Sequence, residues 1–90
     1  MGFQWDKNKA ADNLRKHGVD FADAVGIFED IYALTLREEV HQSEARYVTT
    51  GIDFLGRIVT VVYTFRDDDY RIISARQSTK NEREEYERGI

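Results

Sequence analysis

The chemistry that this sequence could support depends mainly on arginine. Nine of the thirteen basic residues are arginines, and five of these fall between Arg46 and Arg76. The planar guanidinium group holds a phosphate through two parallel hydrogen bonds, which the lysine ammonium group cannot do. The arginines therefore indicate a phosphate-binding surface. The alternative is a solvated sheet on which they form ordinary ion pairs with some of the seventeen acidic residues.

Few other residues have the chemistry of a catalytic group. His17 could act as an acid or base near neutral pH, but it precedes Gly18, so it could equally favour a helix C-terminus by its charge. His41 is far from it in the chain, which gives no zinc-binding spacing, and the chain contains no cysteine. Neither a phosphate-binding glycine loop nor a Ser-His-Asp order is present. The sequence therefore predicts neither a metal nor another cofactor.

Length and composition indicate one globular domain that spans residues 1–90. Hydrophobic residues make up 41% and aromatic residues 12%, which argues against disorder. The longest apolar-rich stretch, at 58–65, is too short to cross a bilayer, and no signal peptide is visible, so we expect a cytoplasmic protein. The net charge of −4 argues against non-specific binding of polyanions, so any nucleic-acid site has to be a local patch.

The elements that must position these side chains begin with two helices. The run 3–5 alternates like a short strand, and Asp6 can cap a helix from Lys7 to His17, in which Ala10, Leu14 and His17 share one face. Gly18 supplies the left-handed stop of this helix. Asp20 can cap a second helix, whose predicted buried stripe consists of Phe21, Ala24, Val25 and Phe28.

The second half of the chain has the period of two that is typical of strands. We predict four strands, at 31–37, 45–53, 57–66 and 70–77, with connectors at 38–44, 54–56 and 67–69. The two shorter connectors favour antiparallel neighbours. Thr79 and Glu82 form a capping box for a final helix that runs to about Arg88. Because Tyr86 is one of its few apolar residues, we expect this helix to dock weakly.

The order β-α-α-β-β-β-β-α predicts an α+β fold with a four-stranded antiparallel meander, covered on one face by the first two helices. The alternation of side chains along a strand predicts that Val59, Val61 and Tyr63 face these helices. In the next strand, Ile73 and Ala75 are expected to face the same way. With a loop at 67–69, the expected pairs across the other face are Arg66–Tyr70, Thr64–Ile72, Val62–Ser74 and Thr60–Arg76. A slip of one residue in this loop would exchange the faces of one strand.

Several motifs together resemble the BrnT family of ribonuclease toxins. These are Phe-Gln-Trp-Asp at 3–6, Lys-His-Gly-Val at 16–19, Glu-Ala-Arg at 44–46, Arg-Ile-Ile-Ser-Ala-Arg at 71–76, and Glu82 with Tyr86. The resemblance covers nearly the whole chain and implies a RelE-like fold. It also implies a metal-independent endoribonuclease of a type II toxin–antitoxin system that cleaves RNA and arrests growth. The chain departs from this pattern in being acidic, whereas RelE-like toxins are commonly basic.

The resemblance further implies a partner, a BrnA-like antitoxin with a ribbon-helix-helix domain. This partner would neutralise the toxin and join it in repressing their operon, so that operator DNA is contacted only through the antitoxin. The alternative is a non-catalytic or inactivated toxin-like module that acts only through its antitoxin complex. A small neighbouring gene for a ribbon-helix-helix protein would support a toxin, active or inactivated, over a free-standing module.

Cleavage of RNA without metal requires a base, an acid and positive charge that stabilises the phosphorane. We expect the catalytic residues to be Arg46, Arg71, Arg76, His17 and Tyr86. We expect the RNA-binding residues to be Lys16, Arg57, Arg66 and Tyr70. Each has a structural alternative: an ion pair for the arginines, a helix cap for His17, helix anchoring for Tyr86 and cross-strand packing for Tyr70. Glu82 is assigned to the capping box alone.

Overall fold

The computed structural model describes residues 1–90 and confirms an α+β architecture. Its strands are β1 (Phe3–Gln4), β2 (Leu34–His41), β3 (Glu44–Ile52), β4 (Ile58–Arg66) and β5 (Asp69–Gln77). Its helices are α1 (Lys7–His17), α2 (Phe21–Ala24), which continues into a 3₁₀ helix (Val25–Glu29), and α3 (Lys80–Arg88). None of these helices combines the length and the apolar character needed to span a membrane.

The sheet has five strands in the order β1-β5-β4-β3-β2, so the predicted N-terminal strand joins the four strands of the meander. Strands β2 to β5 are antiparallel neighbours, as expected from their short connections. Strand β1 pairs in parallel with β5, where Phe3 is opposite Tyr70 and Gln4 is opposite Arg71. The N-terminal residues therefore close one end of the β5 edge and bring Gln4 beside an arginine.

Helix α1 begins and ends where the sequence predicts. The Asp6 side chain accepts hydrogen bonds from the backbone N–H groups of Asn8 and Lys9, and Gly18 adopts a φ of 69°. The predicted inner face is wrong at Leu14, which is 47% exposed, whereas Asn13 is buried. Asn13 is buried because it contacts the part of the β5 edge that β1 does not pair with. There its Nδ2 donates to the Ala75 carbonyl at 2.7 Å, and its Oδ1 accepts a hydrogen bond from the Ala75 N–H.

The β4–β5 hairpin differs from the prediction by one residue. Its loop is Asp67 and Asp68, both with positive φ (54° and 66°), so Arg66 pairs with Asp69 and not with Tyr70. A β-bulge at Ile73 then returns the strands to the predicted register, and the Val62–Ser74 and Thr60–Arg76 pairs are confirmed. Between the turn and the bulge, each β5 side chain lies on the sheet face opposite to the predicted one. The predicted sides of Tyr70, Ile72 and Ile73 are therefore wrong, and Ile72 is in the core.

Strand β2 also has different bounds from those predicted. Gln42 and Ser43 form a two-residue turn with positive φ, so residues 38–41 belong to the strand and not to a connector. Residues 31 and 32 form a turn, in which the Asp30 carboxylate accepts hydrogen bonds from the N–H groups of Tyr32 and Ile52, both at 2.9 Å. The strand therefore begins at Leu34.

The core lies between the sheet and the N-terminal helical segment. Val19, Phe21, Ala24 and Ile27 pack on Val59, Val61, Tyr63, Ile72 and Ala75. This confirms the predicted inward positions of β4. The opposite sheet face contacts only α3, mainly through β3. Helix α3 is held there through Tyr86, which is 2% exposed and whose hydroxyl donates to Asp30 Oδ2 at 2.6 Å, and its weak docking stays a prediction.

Candidate nucleic-acid interface

The sheet face that carries α3 is not covered by a helix at its other end, near the two hairpin turns. Three arginines lie there on adjacent strands, and we call this surface the arginine face: Arg46, Arg66 and Arg71. Thr64 is opposite Arg71 across the β4–β5 pair, and Arg66 is two residues further along β4 on the same side. Arg46 shares this side because Val48, two residues away in β3, is opposite Val62.

One carboxylate lies between two of these guanidinium groups. Glu44 Oε2 accepts a hydrogen bond from Arg66 Nη2 at 3.0 Å, and its Oε1 is 3.6 Å from Arg46 Nε. The hydrogen bond from Arg66, helped by the charges of Arg66 and Arg46, holds the pKa of Glu44 below its ordinary value. Arg46 Nε is buried and has no hydrogen-bond acceptor. Glu44 is therefore ionised at neutral pH.

The third guanidinium group joins this network through the N-terminal strand. Arg71 Nη1 donates to Gln4 Oε1 at 2.9 Å, and Gln4 Nε2 donates to the Arg66 carbonyl at 3.2 Å. Gln4 is neutral, so it orients Arg71 without cancelling its charge. In this network three guanidinium groups accompany one carboxylate, and on the same side of the sheet Glu39 is opposite Arg46 and Asp69 is opposite Arg66.

Arg76 is not part of this network. It is opposite Thr60, four positions along β4 from Thr64, which corresponds to roughly 13 Å. Its Nη1 and Nη2 donate to the two oxygens of Glu82 at 2.6 and 2.9 Å. These hydrogen bonds, with those from Thr79 N–H and Thr60 Oγ1, lower the pKa of Glu82 to about 2. The capping-box glutamate of α3 therefore also holds Arg76 against the helix.

Three other candidate residues also lie away from the arginine face. Tyr86 is buried, and burial together with its hydrogen bond to Asp30 raises its pKa to about 12. Arg57 donates to the Asp53 carboxylate and to the Gly18 carbonyl, which links the end of α1 to the β3–β4 turn. The ring of Tyr70 packs among Phe3, Phe28, Tyr63 and Phe65 on the helix side of the sheet.

Lys16 and His17 lie together at the edge of the sheet. They line a shallow groove of about 250 Å³. The other residues that line it are Lys9, Asp12 and Asn13 of α1 and Ile73 and Ser74 of the β5 bulge. Ser74 is opposite Val62, so the groove opens next to the arginine face. The structure therefore brings Arg46, Arg66 and Arg71 together, and places Lys16 and His17 as a separate basic pair beside them.

Two polar residues of the network, Glu44 and Gln4, were not predicted as site residues from the sequence. Glu44 could have been found because it lies two residues before Arg46, the spacing that puts both side chains on one strand face. Gln4 could not, because its position depends on the parallel pairing of β1 with β5. No three His, Asp or Glu side chains are grouped so that they could hold a metal ion.

The fold is a small α+β domain, and grouped guanidinium groups on an uncovered sheet face have the chemistry that can bind phosphate. Similarity to known proteins identifies the family. The family model of the ribonuclease toxin BrnT of type II toxin–antitoxin systems matches residues 5–82, and the chain belongs to this family. Members are ribonuclease toxins, so RNA is the target and an antitoxin is the partner.

A solved structure supports the same assignment. The chain is similar to the Brucella abortus ribonuclease toxin BrnT, known from a 1.1 Å crystal structure, with 27% sequence identity and a TM-score of 0.67. The similarity covers 89% of this chain and 99% of that chain. A search of curated proteins finds no significant match.

Proposed function

We propose that this chain is an active, metal-independent endoribonuclease that cleaves RNA on the arginine face and thereby arrests growth. The observation that carries this proposal is the grouping of Arg46, Arg66 and Arg71 on one sheet face, where the ionised Glu44 lies beside Arg46 and Arg66. Guanidinium groups from adjacent strands can hold the two non-bridging oxygens of one phosphodiester while charge develops on them. We assign the fold to the RelE-like type on its two N-terminal helices and antiparallel meander.

In the proposed reaction, Glu44 removes the proton from a ribose 2′-hydroxyl. The 2′-oxygen then bonds to phosphorus while the bond from phosphorus to the 5′-oxygen breaks, which leaves a 2′,3′-cyclic phosphate and a 5′-hydroxyl end. Arg46 and Arg71 stabilise the phosphorane. His17, in its protonated form, is the candidate that gives a proton to the departing oxygen, and Lys16 binds a neighbouring phosphate.

Substrate binding strengthens Glu44 as a base in this scheme. Its pKa is low chiefly because of the hydrogen bond from Arg66. A phosphate that recruits Arg66 weakens this hydrogen bond, so the pKa of Glu44 rises toward its ordinary value and the carboxylate accepts a proton more readily. The carboxylate is therefore a poor base in the free protein and a better one beside the substrate.

The remaining candidates receive structural roles in this proposal. Arg76 and Tyr86 hold α3, through Glu82 and Asp30 respectively, and both are engaged in short hydrogen bonds of 2.6 Å. Arg57 fixes the C-terminus of α1, and Tyr70 packs in the aromatic cluster.

The proposal includes a BrnA-like ribbon-helix-helix antitoxin that neutralises the toxin in the cytoplasm and represses the shared operon with it. Membership of a type II toxin family supports an antitoxin, and the net charge of −4 attracts a basic, DNA-binding partner. Association that slows as salt is raised would agree with this attraction, whereas a rate independent of salt would contradict it.

The test is cleavage of total RNA by the purified chain in the presence of a chelator. We expect 5′-hydroxyl ends, and we expect Arg71→Ala, Arg46→Ala and Glu44→Gln each to slow cleavage by about 100-fold or more. Arg15→Ala is the matched control, because Arg15 is an exposed arginine of α1 paired only with Asp12.

Each other result has a definite meaning. Full activity of folded Arg71→Ala and Arg46→Ala would refute the arginine face as the active site. Activity that needs a divalent cation would refute metal independence. A wild-type chain that binds its antitoxin and leaves RNA intact would identify an inactivated toxin.

A further inference from the structure

Half of the twelve exposed bulky hydrophobic side chains lie at the end of the sheet away from the arginine face. These six side chains come from two segments, and we call the surface that they form the apolar end: Ile31, Tyr32, Leu34, Ile52, Phe54 and Leu55. Ile31 is 88% exposed and Leu55 is 63% exposed. Ile52 is opposite Ile58, six positions along β4 from Thr64, so about 20 Å separates this surface from the arginine face.

The two segments of the apolar end are fixed to each other. The Asp30 carboxylate accepts from the N–H groups of Tyr32 and Ile52, and the Phe54 N–H donates to the Asp23 carbonyl at 3.0 Å. The Tyr86 hydroxyl also donates to Asp30, so α3 supports the same turn. A surface held in this way binds a partner without the cost of ordering loops.

The segment of the chain that carries Ile31, Tyr32 and Leu34 is acidic in sequence. No lysine or arginine occurs between Lys16 and Arg37, whereas this stretch contains Asp20, Asp23, Glu29 and Asp30. The other thirteen acidic residues balance the thirteen basic ones, so these four equal the whole net charge of −4. A groove of about 330 Å³ adjoins the apolar end and is lined by Gly26, Glu29, Asp30, Ile52, Asp53 and Phe54.

We propose that the apolar end is the docking surface for the antitoxin, which contacts it through bulky apolar side chains flanked by lysine or arginine. The apolar side chains provide the buried centre of an interface and the acidic residues its charged rim. RNA is disfavoured because the groove beside the apolar end is lined by Glu29, Asp30 and Asp53 and by no lysine or arginine. A second copy is disfavoured because a two-fold interface would bring the two acidic stretches together. This inference rests on the toxin–antitoxin part of the proposed function and not on the arginine face.

The test compares two variants that change the net charge equally, by two units. Ile31→Lys/Leu55→Lys places like charge against the basic flanks of the partner, and the control Val40→Lys/Asp67→Asn changes exposed residues at the other end of the sheet. The probe is the protein encoded by the adjacent reading frame, and Kd is measured by calorimetry. We expect the first variant to bind at least about 100-fold more weakly, since each lost apolar anchor costs about tenfold or more, and the control to bind as the wild type does.

Thermal unfolding checks that both variants are folded. Binding of Ile31→Lys/Leu55→Lys within about threefold of wild type would overturn the inference, because hot-spot residues cost more than that. So would a wild-type dimer that this variant converts to monomers, or a neighbouring protein that does not bind at all. RNA cleavage by the wild type in the same preparations reports separately on the arginine face.

Discussion

Replacing Arg76 by alanine distinguishes a structural role for this arginine from a catalytic one. Both of its terminal nitrogens donate to Glu82, which also accepts from Thr79 N–H and from the Thr60 hydroxyl. These interactions, the hydrogen bonds from Arg76 above all, lower the pKa of Glu82 from 4.5 to about 2. The ion pair therefore stabilises the docked α3, and its loss changes the free energy of unfolding.

The size of the effect follows from this pKa. At about 1.4 kcal/mol per pKa unit, the partners of Glu82 together stabilise its ionised form by at most about 3.5 kcal/mol. Because the Arg76 side chain is 35% exposed, solvent screens the pair, and we assign about 1.5–2 kcal/mol to Arg76. We expect Arg76→Ala to lower Tm by roughly 10 °C. RNA cleavage by the folded fraction should remain within about threefold of wild type, against the 100-fold expected for a lost transition-state donor.

The pH dependence gives an independent check. Glu82 has a depressed pKa in the folded state, so its contribution is fully present above pH 4.5 and disappears as the pH falls toward 2. Urea unfolding at pH 7, 4.5 and 3 should show that Arg76→Ala loses less stability on acidification than the wild type does. A double-mutant cycle with Glu82→Gln measures the coupling. An Arg76→Ala protein as stable as wild type that cleaves RNA 100-fold more slowly would refute the structural role.

Three further variants test other parts of the fold. Asn13→Ala should lower the free energy of unfolding by about 3 kcal/mol, because it leaves the Ala75 N–H and C=O without partners. Gly26→Ala should cost more than about 2 kcal/mol, since its Cβ would lie 2.5 Å from the Phe54 nitrogen. Tyr86→Phe should cost about 1.5–2 kcal/mol through the lost hydrogen bond to a carboxylate, and it should remove the tyrosine that titrates near pH 12 in ultraviolet absorbance.

Each of these variants has a matched control on an exposed site, and urea unfolding measures all of them. Asn8 lies on the same helix as Asn13 but is exposed, and a Cβ at Gly89 meets only one backbone atom, at 3.6 Å. Tyr32 is half exposed. We expect Asn8→Ala, Gly89→Ala and Tyr32→Phe to change stability by less than about 0.5 kcal/mol. Test variants that behave like their controls would contradict the assigned contacts.

The helix termini could be predicted from the sequence because their signals are local. Asp6 and Gly18 bound α1, and the Thr79 capping box starts α3 as expected. The buried face of α1 could not be predicted, since Asn13 is selected by a strand edge that is far away in the chain. Helical periodicity predicts that Leu14 is buried. The adjacent residue Asn13 is buried instead, because its amide pairs with backbone groups of β5 that have no strand partner.

The arginine network could be predicted only in part. The concentration of arginines on the strands indicated a phosphate-binding surface, and three of them do lie together on one face. Arg76 does not lie with them, because the ion pair that was the structural alternative for each arginine forms here with Glu82 of α3. In the structure, Glu82 Oε1 accepts from the Thr79 N–H and from Arg76 at the same time. A capping interaction seen in sequence therefore does not exclude an ion pair with another element.

The position of Arg71 depends on two backbone features that side-chain patterns do not reveal. Arg71 and Arg76 are five residues apart, and an odd separation places side chains on opposite faces of a regular strand. The two-residue turn at Asp67 and Asp68 puts Arg71 on the arginine face, and the bulge at Ile73 puts Arg76 on that same side. The same bulge lets both Ile72 and Ala75 enter the core. Because Ile73 is left out of the strand pairing, β5 places Arg71 at the proposed site and Arg76 against α3. The strand does so while Ile72 and Ala75 keep their contacts in the core.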